Sequence, residues 1–96
     1  MRELEVPNTA KIDEDAFEIL RVWIANQQQH VSIRIGVWND PMIWGMMLAD
    51  LARHLANAYN QQHGYSFDNT VNRIREGFDV ELDSPTDFPS GGIVDN

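Results

Sequence analysis

The chain of 96 residues has no cysteine, which excludes a disulfide framework and any thiolate-held zinc or iron–sulfur centre. It is also short of positive charge. Seven Lys and Arg stand against fifteen Asp and Glu, a net charge of −8. A phosphate backbone and an anionic lipid surface are both repelled by that balance, so neither nucleic acid nor membrane is an expected partner. No apolar run approaches the roughly 20 residues that span a bilayer. The opening Met1-Arg2-Glu3-Leu4-Glu5 lacks the apolar centre of a signal peptide, so a cytoplasmic location is expected. Missing as well are G-x-S-x-G, H-E-x-x-H and a phosphate-binding loop. No catalytic residue, metal site or cofactor is assigned on these grounds.

What is present centres on His30 to Gly64. Val31, Ile33, Ile35 and Val37 alternate with Ser32, Arg34, Gly36 and Trp38, which predicts a strand over 31–37. Asn39-Asp40-Pro41 then reads as a helix start, with Asp40 as N-cap and Pro41 where no intrahelical N–H is lost. That helix is expected over 41–63, closed by Gly64 in the left-handed region. Before the strand, Glu14 and Asp15 precede Ala16, Phe17, Ile19, Leu20, Trp23 and Ile24 at helical spacing, predicting a helix over 14–28. After Gly64, a Ser66 cap followed by Phe67, Val71, Ile74, Phe78 and Leu82 predicts a third helix over 67–82. Phe78, Val80 and Leu82 also alternate, but the stripe keeps its helical phase through Gly77. Residues 2–6 offer a possible edge strand, pairing within the chain or across a dimer.

The expected architecture is α+β: three helices on a minimal sheet, forming one domain over 1–83. Two prolines and paired glycines make 84–96 an expected irregular, mobile tail. One strand cannot satisfy its own backbone groups, and a chain this short is marginal alone. Met42, Ile43 and Met46 add apolar groups on the side of the long helix that should be wet. A homodimer, or another protein partner, is the expectation, with Ser32, Arg34, Gly36, Met42, Ile43 and Met46 at the interface.

Two clusters invite chemistry. Asp50 and His54, four apart on one helix, offer two metal ligands, but His63 lies on another face, and two ligands are not a site. They read as a surface pair beside Arg53. Asp79, Glu81, Asp83 and Asp87 lack the central glycine and closing glutamate of a calcium loop and read as a solvated face. The strand-to-helix turn is the better candidate. There Trp38 and Trp44 could flank a flat ligand beside Asn39, while Arg34 orients a carboxylate or phosphate and His30 moves a proton. Against this stand Asp40, which repels an anion, and Pro41, which removes a donor. Arg73 and Arg75 are the one basic pair on the third helix, diluted by Glu76 and Asp79.

Ile19-Leu20-Arg21-Val22-Trp23-Ile24, His30 to Trp38, Trp44-Gly45, Leu48 to His54 and Arg73-Ile74-Arg75-Glu76-Gly77-Phe78-Asp79 together resemble a small bacterial family, found mainly in proteobacteria, whose function is unknown. The resemblance covers about residues 14–87. It implies no activity and no catalytic residue, and Met42, Met46 and residues 88–96 match no pattern of the family. The expectation drawn from the residues is a non-enzymatic homodimeric interaction domain; the alternative is a small-molecule binder or enzyme at the tryptophan turn.

Overall fold

The computed structural model describes residues 2–86 and the backbone of 90–94. The order is α1 (Asn8–Ile12), β1 (Leu20–Ala25), β2 (Gln28–Arg34), a 3-10 turn (Ile35–Val37), α2 (Pro41–His63), α3 (Phe67–Asp83) and β3 (Ser90–Val94). The fold is α+β, with a three-stranded sheet in the order β1-β2-β3. β1 and β2 form an antiparallel hairpin, whereas β3 runs parallel to β2. Parallel neighbours need a crossover connection, and here the α2–α3 stretch supplies it.

Four expected segments differ in the structure, two of them for reasons that the hairpin makes plain. The expected helix over 14–28 does not form. The Asp13 carboxylate accepts a hydrogen bond from the Asp15 N–H (2.9 Å), but only a local turn is closed and no helix follows. The apolar residues beyond it fit two periods at once. Ile19, Leu20, Trp23 and Ile24 suit a helix, while Leu20, Val22 and Ile24 alternate, and β-branched and aromatic side chains favour the extended form. Pairing with β2 decides it. Asn26 and Gln27 take positive φ of 55° and 63° between the paired ends Ala25 and Gln28. Two successive positive φ values make the two-residue turn whose twist matches a hairpin.

The strand expected over 31–37 is accordingly shifted. As the return arm of the hairpin it starts at Gln28, and it ends at Arg34, whose N–H donates to the Ile19 carbonyl at 3.0 Å. β1 begins at Leu20, so Ile35–Val37 has no antiparallel partner to hold it extended and winds into the 3-10 turn. Residues 2–6 form no strand. They precede Pro7, the N-cap of α1. β3 falls inside the stretch expected to be irregular; residues 87–89, 95 and 96 of that tail lie outside the described residues.

The long helices match their signals. The Asp40 carboxylate accepts from the Met42 N–H (3.0 Å), Pro41 stands at the first position, and Gly64 closes α2 at φ 70°. Ser66 caps α3 by accepting from the Asn69 N–H at 3.3 Å, and the helix runs unbroken through Gly77 to Asp83. The chain divides into two compact units, one reaching Val37 and including β3, the other beginning at Trp38 and holding α2 and α3.

Candidate functional site

Within the second unit α2 and α3 pack together. Among the described residues Ala56, in α2, is the one that is buried. Leu48, Leu51, Leu55 and Tyr59 recur at intervals of three and four, so they form a single stripe along α2, and all four are exposed. On α3 the stripe starts half-buried at Phe67, Val71 and Ile74 and ends exposed at Phe78 and Leu82. Met42 and Met46 are exposed at 71% and 60%, with Ile43 between them half-buried. Gly36 and Ser32, also expected at an interface, are exposed in the first unit.

The residues of the expected ligand turn are divided between the units. Trp38, Asn39 and Trp44 belong to the second and His30 and Arg34 to the first. The tryptophan rings meet edge to face, with centroids 5.2 Å apart and planes at 79°. Rings in that arrangement fill each other's space and leave no slot for a flat ligand between them. Asn39 is exposed. Half-buried Arg34 donates from Nε to the Glu18 carbonyl (2.9 Å), and its guanidinium lies 5.7 Å from the centre of the Phe17 ring. Its planar fork is thereby turned to holding the approach to β1. His30 stands opposite Trp23 in the hairpin.

Three of the charged pairs are local, each spanning one helical turn's worth of sequence or less. Arg53 reaches Asp50 at 2.7 Å, which engages the carboxylate considered beside His54. Arg21 pairs with Glu18 at 3.0 Å, Arg73 with Glu76 at 2.7 Å, and Arg75 donates to the Asn72 side chain at 3.4 Å. Among the described residues no three His, Asp or Glu side chains gather as a metal site.

Two features had no clear signal in the sequence. Tyr59 and Tyr65 stack with nearly parallel rings (6° between planes, centroids 5.8 Å), and His63 lies 5.4 Å from Tyr65. Asn60 braces this corner by donating to the Tyr65 carbonyl at 2.7 Å. Tyr59 and Tyr65 line a shallow cleft with Asn69, Thr70 and Arg73. The second feature is the outer edge of β1, which β2 leaves unpaired. The aromatic corner follows from helix spacing around Gly64; the edge depends on the hairpin, which the helical reading of 14–28 hid.

Residues 3–86 match a family described as Domain of unknown function (DUF5076). The chain belongs to this family. A solved structure similar to this DUF5076 domain is that of a "putative pyruvate dehydrogenase" from the photosynthetic bacterium Rhodopseudomonas palustrus CGA009. It shares 33% sequence identity and a TM-score of 0.70, over 92% of this chain and 90% of that one. No curated protein matches the chain. No helix among the described residues is long and apolar enough to cross a membrane.

Proposed function

We propose that this DUF5076 domain is a non-enzymatic, cytoplasmic interaction module that works as a homodimer. The observation carrying this reading is the lack of buried apolar surface. Ala56 alone is buried among the described residues, while the α2 stripe from Leu48 to Tyr59 and the Met42–Met46 patch stay exposed. Contiguous apolar surface of this kind marks an interaction site. A second copy covering it would supply the stability that a chain this short does not obtain alone. The interface takes in Met42, Ile43 and Met46, with Ser32, Arg34 and Gly36 contributed by the first unit. The local pairing of Arg21, Arg53 and Arg73 with carboxylates supports leaving nucleic acid out.

Light scattering on the whole chain tests this. The wild type should have twice the mass of its 11.0 kDa chain, and Met46→Asp should fall to the single-chain mass while keeping its helical circular dichroism. A wild type of single-chain mass at every concentration overturns the reading.

A second reading has one point in its favour, the name of the structural neighbour. It would make the chain a binder of a small carboxylate such as pyruvate, using Arg34 and His30 with Trp38, Asn39 and Trp44. Arg34 already donates to the chain's own Glu18 carbonyl, and the tryptophans already fill each other's space, so the interaction module is preferred. Pyruvate added in thermal-shift measurements should leave the melting temperature unchanged. An increase that Arg34→Ala abolishes would instead favour the carboxylate binder.

A further inference from the structure

Among the described residues β1 is an edge strand: β2 pairs with one side of it and no strand with the other. The bond from the Arg34 N–H to the Ile19 carbonyl identifies that opposed pair as hydrogen-bonded. Hydrogen-bonded pairs alternate along an antiparallel ladder, so Arg21, Trp23 and Ala25 bond to β2. The N–H and C=O groups of Leu20, Val22 and Ile24 point the other way. Among the described residues, no backbone or side-chain group meets them. Residues 2–7 line a cavity of about 610 Å³ together with residues 16–23. Two side-chain contacts link them to β1, Glu3 lying 3.9 Å from Arg21 and the Arg2 guanidinium 5.7 Å from the centre of the Trp23 ring.

Edge strands are ordinarily protected by charged side chains, proline or a bulge. Leu20-Arg21-Val22-Trp23-Ile24-Ala25 has one charge, Arg21, which is paired with Glu18, and neither proline nor bulge; its register to β2 is unbroken, and Ile24 is 76% exposed. We propose that this edge receives β1 of a second copy, antiparallel across a twofold axis at Val22, joining two sheets into one. The inference rests on the homodimer reading and adds to it the strand that forms the seam.

The edge complements itself. With Val22 opposite Val22 of the partner subunit, Leu20 stands opposite Ile24 of the partner subunit and Arg21 opposite Trp23 of the partner subunit. One face of the seam is then wholly apolar, and the other sets a cation beside an indole. An axis at Arg21 would instead bring two guanidinium groups face to face. An axis at Trp23 would leave the outward groups of Leu20 without a strand partner. The Val22 register is the one in which the outward groups of Leu20, Val22 and Ile24 all pair within β1.

The absence of cysteine makes the test clean, because Val22→Cys introduces the sole thiol. Hydrogen-bonded antiparallel partners have Cα atoms about 5.5 Å apart, inside the range a disulfide spans. Mild oxidation of the full chain should convert Val22→Cys into a covalent dimer at least ten times faster than Arg75→Cys on α3. Val22→Pro removes an outward N–H and leaves the bonds to β2 intact, so it should weaken dimerisation at least tenfold in sedimentation equilibrium. The seam is overturned if the wild type is dimeric and Val22→Cys cross-links no faster than Arg75→Cys. A dimer constant that Val22→Pro leaves unchanged overturns it equally. A monomeric wild type overturns the homodimer reading as well.

Discussion

Asn26 and Gln27 show most directly how single residues set this fold. Both adopt positive φ, which asparagine tolerates and glutamine does not favour, since left-handed backbone costs an L-residue about 1–2 kcal/mol. Gln27→Gly should therefore stabilise the protein by roughly 0.5–1 kcal/mol, raising the urea midpoint with an unchanged m-value. Gly77 is the opposite case. It sits in helical backbone in the interior of α3, and a Cβ placed there would meet nothing within 4 Å. Gly77→Ala should stabilise by up to about 1 kcal/mol in the same measurement. At the helix start, Ser66→Ala should cost about 1 kcal/mol, because the Asn69 N–H loses its acceptor.

At the scale of elements, legibility followed local chemistry. α2 and α3 could be read because both ends carry their own instructions: Asp40, Pro41 and Gly64 for one, Ser66 and an unbroken stripe for the other. The hairpin could not. Leu20 to Ala25 satisfies a helical and an alternating pattern equally, and the deciding partner lies in β2, with no glycine in the turn to announce it. The candidate ligand turn is a different case. Its residues were placed by adjacency in the chain, whereas Trp38 and Trp44 fold onto each other and Arg34 turns back to Glu18. The exposure of the α2 stripe was hidden because helical spacing tells which residues share a face and not what covers it. Ala56 is 0% exposed, so Ala56→Leu should overpack α2 and cost about 1–3 kcal/mol. By contrast Leu51→Ala, at an exposed position, should cost well under the ~2–5 kcal/mol of a core deletion when measured on the single chain.

For the whole molecule, the proposed homodimer means that a chain of this length, belonging to DUF5076, reaches its full stability when a second copy covers what it leaves exposed. Folding is then linked to association, and the fraction folded depends on concentration as well as temperature. The most direct measurement is urea unfolding of the wild type at two protein concentrations differing by a factor of about 100, each followed by circular dichroism. Mass action predicts that the more concentrated sample is stabilised by about 2.7 kcal/mol per mole of dimer, with a correspondingly higher midpoint. Superimposable curves at the two concentrations, together with a single-chain mass, would contradict the account at its centre.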